Sequence, residues 1–289
     1  MAPLKITRLD DRLVVYQSRL WATNSVVLLT GRARLVCDPS IFPDEIAAIR
    51  DRARGAGLVY VLVTHSDFDH VCGLPAFDGA TVVAGAGTAR AIESGEARHK
   101  LDESGREWGT EWEGQLRVDV VASAEPTRLG DAEVVAIDCP GHSTDGSAFV
   151  VADRGLLLPG DYLSAVCHPI VLGSIGDAVA AVGRLLRVLD ERQIETVVPG
   201  HGPVLDRRRA RRIGEEDTAY LHAIQTAAAD AVRRGASANE GLLLVRSVAS
   251  PRRARPDFEA FDWLGANARR ALAEAGHPAF VTRQAPLTP

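Results

Sequence analysis

The 289-residue chain has few cysteines, no long apolar run and no excess of basic charge, and each of these absences removes a class of protein. Cys37, Cys72, Cys139 and Cys167 lie far apart without a CxxC pair, in a chain too long to need disulfide staples, so reduced thiols are expected. No stretch approaches the ~18 uninterrupted apolar residues of a membrane-spanning helix. The N-terminal MAPLKITRLDD lacks the apolar segment of a signal peptide. The expectation is a soluble, cytoplasmic protein with no membrane partner. A net charge of −5, with arginines and carboxylates interspersed, leaves no electrostatic footprint for nucleic acid. The local exception, Arg207, Arg208, Arg209, Arg211 and Arg212, reads as a solvated helix face, or as a hold for an anionic substrate tail. Neither a repeat of solenoid period nor a low-complexity linker is present. The apolar share, 46%, is ordinary and sufficient for a sizeable core in one domain with an appendage.

What is present centres on GLVYVLVTHSDFDHVCG, residues 57–73. Leu58–Val63 is mostly β-branched or aromatic and too short for an ordinary helix, so it reads as a strand buried on both faces. It runs straight into His65, Asp67, Asp69 and His70. Imidazole and carboxylate are the side chains that ligate divalent metals, and a mere polar turn explains one or two such residues more easily than four.

Before this strand, short apolar segments at 4–9, 13–17, 25–29 and 34–37 suggest a meander, and 43–54 has helical spacing with Pro43 suited to the first turn. After it, 81–84 reads as a strand, and Thr88 opens a helix that leads into a charged segment. Trp108 and Trp112, four apart in that segment, suggest a small local cluster, with a substrate lid or homodimer contact as the alternative. Further strands are expected at 117–121, 132–138, 147–151, 155–158 and 195–198, and a helix carries Ile175, Val179, Val182, Leu186 and Leu189. Beyond Asp206 the pattern is helical, up to Gly235 and again over 258–275.

Three more strands end in polar, glycine-containing loops: CPGH with His142, PGD with Asp161, and PGHG with His201. Together with the first loop they supply four histidines and three aspartates, enough for two metal ions bridged by one carboxylate and a water. His222 and His277 read as surface residues of the tail, and His99 belongs to the charged segment. His168, in AVCHP, is either pocket-lining or a structural histidine, and Tyr162 and His168 are the candidate substrate-binding residues.

In their order THSDFDH, PGH, GD and PGHG, these motifs resemble the metallo-β-lactamase-fold hydrolases, in particular the glyoxalase II-like branch, over residues 13–204. The resemblance implies an α/β chain built as a four-layer αββα sandwich over 1–205, with a C-terminal helical extension over 206–289 that covers the active site. It implies that His65, residue 67 and His142 hold one metal, that Asp69, His70 and His201 hold the other, and that Asp161 bridges them. It also assigns Asp38 as the acid bracing a ligand from behind, although Asp-Pro-Ser alone is a good turn.

The family pattern is HxHxDH, and here Asp67 stands where the second histidine belongs. Two divalent ions at about +4, three aspartates at about −3 and a hydroxide at about −1 then sum to roughly zero. Zinc is the first expectation for such a centre, but a less electrophilic pair and an oxygen-richer first site lean toward iron or manganese as the alternative; a further possibility is that Asp67 points away and the first pocket is weak or empty. The expected activity is metal-dependent hydrolysis of a small ester, thioester, lactone or phosphoester, with Asp69 orienting the nucleophile. The alternatives are an iron-dependent oxidoreductase resembling persulfide dioxygenases or flavodiiron proteins, and a non-catalytic ligand-binding member. The flavodiiron form fits poorly, because no strand followed by a phosphate-binding loop occurs near the C-terminus.

Overall fold

The structure is a computed structural model in which residues 3–55, 57–108 and 112–281 are described. β-Branched runs broken by Gly, Asn and Asp build a first sheet of seven strands in sequential order. β1 (Lys5–Arg8), β2 (Leu13–Gln17), β3 (Asn24–Leu29) and β4 (Ala33–Cys37) form an antiparallel meander. β5 (Leu58–Val63), β6 (Thr81–Gly85) and β7 (Val120–Ala122) continue it in parallel. Cys37 pairs with Leu62 and Leu62 with Val83, so β4, β5 and β6 end at one edge.

The second sheet has six strands. They are β8 (Thr127–Leu129), β9 (Ala132–Asp138), β10 (Ser147–Val151), β11 (Leu156–Leu158), β12 (Thr196–Val197) and β13 (Leu205–Asp206). β10 is antiparallel to both β9 and β11, and β12 is parallel to β11. β9, β11 and β12 therefore run the same way and deliver their loops to the same end of the sheet.

Alternation along the strands sorts the core into layers. Val15, Leu28, Leu35, Leu62 and Val83 meet Val134, Ala136, Phe149 and Leu156 between the sheets. Val14, Val27, Val36, Val61 and Val82 face outward onto α1 (Pro43–Ala53), which contributes Ile49 and Ala53. Val135, Ala148, Val150 and Leu157 face the opposite side, against α5 (Ile175–Glu191). Both sheets are thus covered by helix on the outside, giving the αββα sandwich.

Between β5 and β6 lies the short α2 (Phe68–Val71), and between β6 and β7 lie α3 (Ala86–Glu93) and α4 (Glu96–Trp108). Among the described residues, four helices follow β13: α6 (Arg207–Arg233), α7 (Ala238–Arg246), α8 (Trp263–Glu274) and α9 (Pro278–Val281). Asp206 caps α6 by accepting from the Arg209 amide at 2.7 Å. Ile213, Tyr220, Leu221 and Ile224 of α6, with Ala268 and Leu272 of α8, share one apolar cluster with α5. No helix among the described residues is long and apolar enough to cross a membrane.

Several expectations shift. α4 and α7 are helices where the sequence suggested a charged segment and nothing definite, and α8 begins at Trp263 rather than 258. His277, expected on the surface, is buried with Nε2 3.0 Å from the Ala236 carbonyl, which it needs for a hydrogen bond there. The Trp108–Trp112 pairing involves a side chain outside the described residues, whereas Trp112 stacks at a tilt on Phe68 at 5.5 Å. All four cysteines are buried free thiols.

Candidate metal centre

Each motif sits where a strand stops. β5 releases Thr64 and His65, and α2 begins at once, carrying Asp69 and His70 in its only turns. Asp67 is the residue before the helix, yet its carboxylate does not cap it. It turns into the site instead, with Oδ2 3.6 Å from His65 Nε2 and 3.4 Å from His142 Nε2. His142 follows β9, Asp161 follows β11 and His201 follows β12. Both sheets thereby contribute ligands to a single edge.

The ligand atoms of His65, His142 and Asp161 all lie within 4.8 Å of one another, as do those of Asp69, His70 and His201. Asp161 stands between the two groups. Its Oδ2 is 3.2 Å from His142 Nε2 and 2.9 Å from His201 Nε2, while Oδ1 is 3.2 Å from His70 Nε2. Asp69 Oδ2 lies 3.4 Å from His70 Nε2 and 3.5 Å from His201 Nε2, and accepts from the Thr23 hydroxyl at 3.2 Å.

The far nitrogen of each ring is also occupied. His142 Nδ1 lies 2.9 Å from the Ile170 carbonyl and His201 Nδ1 lies 3.1 Å from the Trp21 carbonyl. A carbonyl only accepts, so these rings carry a proton on Nδ1 and turn Nε2 toward the centre. His70 Nδ1 is 2.9 Å from Asp38 Oδ2, and His65 Nδ1 is 3.0 Å from the Thr64 hydroxyl. Asp38 is held in turn, accepting from the Thr64 amide at 2.9 Å and hydroxyl at 2.7 Å. His65 Nε2, His70 Nε2 and Asp161 Oδ1 are buried without any hydrogen-bond partner. Inward-facing imidazole nitrogens and carboxylate oxygens left unsatisfied in this way fit one or two divalent ions.

The electrostatics agree. Burial is the largest single influence on His142 and opposes its charge, yet Asp161 and Asp67 outweigh it and lift its pKa to about 9. Burial likewise opposes the charge of Asp67, and His142, Lys100 and His65 together hold the carboxyl well below its ordinary range. The same competition, won by His201, His70 and His142, keeps Asp161 ionised. Positive charge is therefore favoured at the centre.

Small residues make room. A Cβ on Gly200 would stand 2.1 Å from Asp161 Oδ1, and Gly141, at φ +129°, would place one 2.3 Å from the Ala178 amide. Asn24 ties the two sheets together here, donating from Nδ2 to the carbonyls of Pro199 and Gly202, each at 2.8 Å. Its backbone amide donates to Gly200 at 2.6 Å.

Other expected residues lie around this centre. Tyr162 is buried beneath the His142 loop, its hydroxyl accepting from the His142 amide at 2.9 Å and donating to the Pro140 carbonyl at 2.8 Å. His168 is buried in a small cavity with Asp161, Ser164, Cys167 and Asp217. Its Nε2 has no partner, and burial, aided by the nearby Arg252, pushes its pKa down to about 4. Cys72 donates to the Ser40 carbonyl, and burial raises its thiol pKa, so it is no nucleophile. Among the arginines that open α6, Arg211 pairs with Asp190 and Glu215, and Arg212 with Glu216, as a solvated face does.

Three residues enter that the motifs did not supply. Asp145 accepts from the Ser66 amide at 2.8 Å, joining the His142 loop to the His65 loop. Lys100, from α4, places Nζ 3.3 Å from Asp67 Oδ1 and 3.2 Å from the Ser66 hydroxyl. Burial works against its charge, but Asp67, Asp145 and Glu96 raise its pKa above the usual lysine value. Phe258, in the loop before α8, sets its ring 5.3 Å from His201 and stacks on Trp21 at 5.9 Å.

Comparison with known proteins agrees with this geometry. The chain is 30% identical over 168 residues to the acyl-coenzyme A thioesterase MBLAC2 of Bos taurus, covering 53% of this chain and 59% of that protein. It is 28% identical over 196 residues to a hydroxyacylglutathione hydrolase of Rhodospirillum rubrum, covering 65% and 66%. The matches thus span about three fifths to two thirds of these relatives' length. Among solved structures, a metallo-beta-lactamase from Pontibacter korlensis superposes with a TM-score of 0.59 at 16% identity, over 76% of this chain and 99% of that one. The sec-alkylsulfatase Pisa1 from Pseudomonas sp. superposes with a TM-score of 0.67 at 11% identity, over 96% of this chain and 52% of that one. At such identities these structures speak for the fold alone. The model of the metallo-beta-lactamase superfamily matches residues 18–201, which contain every residue of the two ligand groups, and the chain belongs to that superfamily.

Proposed function

We propose that the protein is a dinuclear metallo-hydrolase acting on a small thioester. The observation that carries the reading is Asp161, whose two oxygens face both ligand groups while Oδ1 has no hydrogen-bond partner. His65, Asp67 and His142 would hold one ion and Asp69, His70 and His201 the other, with Asp161 facing both groups. Divalent ions in these pockets, zinc in the first instance, supply Lewis acidity toward a carbonyl oxygen and a nucleophilic water at neutral pH.

The chain's own residues do the rest. Asp69, fixed by the Thr23 hydroxyl, would orient the attacking water while remaining a ligand. Asp38 and the two carbonyls lock the imidazoles so that no reorganisation is needed during attack. Phe258 and Trp21 offer an apolar wall beside His201 for an acyl group and exclude bulk water there. A thioester is favoured within the wider ester class because one curated relative is named an acyl-coenzyme A thioesterase and another a hydroxyacylglutathione hydrolase.

The test is a panel of acyl-coenzyme A and S-acylglutathione thioesters, followed by thiol release, with simple esters, lactones and phosphodiesters beside them. Thiol release by zinc-loaded protein, falling at least about a hundredfold in D161A together with its metal content, is expected. Iron content with oxygen consumption and no thiol release would overturn the proposal in favour of an oxidoreductase.

A further inference from the structure

The seven ligand candidates include three carboxylates, and one of them, Asp67, is shared with a cation of the protein itself. Oδ2 of Asp67 points between His65 and His142, at 3.6 and 3.4 Å, while Oδ1 points the other way, to Lys100 Nζ at 3.3 Å. The lysine is not a wandering surface group. Its neighbours along α4, Ala97 and Leu101, are fully buried, and Nζ has a second acceptor in the Ser66 hydroxyl at 3.2 Å and a third in Glu96 at 3.5 Å. Among the described residues, the ion pairs of Asp69 and Asp161 are all with histidines, and Asp38 pairs with His70. The two ligand groups therefore differ in one respect: an ammonium stands behind the first and none stands behind the second.

We propose that Lys100 is a positioning residue of the first pocket: it ties down Oδ1 of Asp67 so that only Oδ2 is offered to an ion between His65 and His142, and its charge makes that pocket the weaker of the two. The inference rests on the reading of the two groups as a metal centre. A carboxylate free to rotate can take an ion with both oxygens, whereas one held by an ammonium gives a single oxygen and leaves the ion more electrophilic. The ammonium also returns one positive charge to a site whose third carboxylate removes one. In place of the neutral balance that Asp67 alone implies, the pair Asp67 and Lys100 contributes no net charge. The consequence is a first ion that is held loosely and polarises strongly.

The experiment titrates metal-free protein with zinc by calorimetry and with cadmium by cadmium NMR, in which each pocket gives its own resonance. Lys100→Met keeps the length of the side chain and removes the charge; Lys100→Gln serves as a second variant, and thermal melts check that both fold. The expected result is a first-pocket affinity at least about tenfold tighter in both variants, because Asp67 is then free to offer the ion both oxygens and its whole charge. The second pocket stays within twofold, and Lys100→Arg resembles the parent. In an Asp67→Asn background the Lys100 substitution changes the first pocket little, since the lysine acts through Asp67. Unchanged or weakened binding at the first pocket in both variants overturns the proposal while the metal centre stands. A parent protein that takes up no metal overturns the metal centre and the proposal with it.

Discussion

Replacing Asp38 by asparagine changes one atom and tests how the second pocket is prepared. The carboxylate accepts three hydrogen bonds, from the Thr64 amide at 2.9 Å, the Thr64 hydroxyl at 2.7 Å and His70 Nδ1 at 2.9 Å. Asparagine must place its NH₂ against one side of this set. If NH₂ faces His70, it donates to Nδ1 and forces the imidazole proton onto Nε2, leaving no lone pair for an ion. If it faces the Thr64 amide instead, two buried donors oppose each other, which costs about 1–3 kcal/mol of folding stability. The first arrangement penalises the pocket of Asp69, His70 and His201, and the second penalises the fold. Removing such a bracing group typically weakens metal binding by about 10–100-fold, or roughly 1.4–2.8 kcal/mol. Calorimetric titration of chelator-stripped D38N with zinc, beside elemental analysis and a urea melt, reads affinity and stability separately. D38N that binds two ions with the parent's affinities and melts like the parent would refute the tautomer argument.

The remaining expectations concern packing and pH. Gly200→Ala puts a Cβ 2.1 Å from Asp161 Oδ1, so metal affinity should drop by about 10–100-fold, read by chelator competition; unchanged affinity would mean the loop yields freely. His168 holds its pKa near 4 against an ordinary 6.5, so between these values the unfolded chain binds a proton that the folded one refuses. Stability from this residue is complete above about pH 6.5 and is lost as the pH falls toward 4, by about 3 kcal/mol in all. Urea melts of metal-free protein across that range should show a shallower slope for His168→Gln than for the parent; equal slopes would count against it. Phe149→Ala empties a fully buried position between the sheets and should cost about 3–5 kcal/mol in a denaturant melt.

Much of this molecule is legible in the chain, and the illegible parts share a cause. Strands such as Leu58–Val63 and Ala132–Asp138 announce themselves through burial on both faces, and the ligands stand out because each follows a strand that stops abruptly. β12 and β13, two residues each, carry no periodicity to read. α7 did leave a signal, since Ser237 and Glu240 form a reciprocal cap that the SANE stretch spells out. The early start expected for α8 follows from Phe258 and Phe261, whose spacing imitates a helix although they pack as a turn against Trp21. Lys100 and Asp145 were hidden for another reason. They meet the His65 loop across 33 and 79 positions of sequence, and a lysine in a charged segment looks like any solvated one until the fold brings it to Asp67. The site was visible in its donors and in Asp38 behind His70, and invisible in Lys100 and Asp145, which restrain the first loop.

The placement of the ligands has a thermodynamic side. His65, Asp67, Asp69 and His70 belong to the sheet built from the first part of the chain, whereas His142, Asp161 and His201 belong to the sheet built from the second. An ion shared across that seam is a cross-link between two halves that otherwise adhere through apolar contact and hydrogen bonds such as those of Asn24 and of Ser66 with Asp145. Its binding energy is then folding energy. At a free concentration a hundredfold above the dissociation constant it adds about 2.7 kcal/mol, so the melting temperature should climb with the logarithm of metal concentration and fall on chelation. In a cell, metal supply would set the lifetime of such a protein as well as its activity.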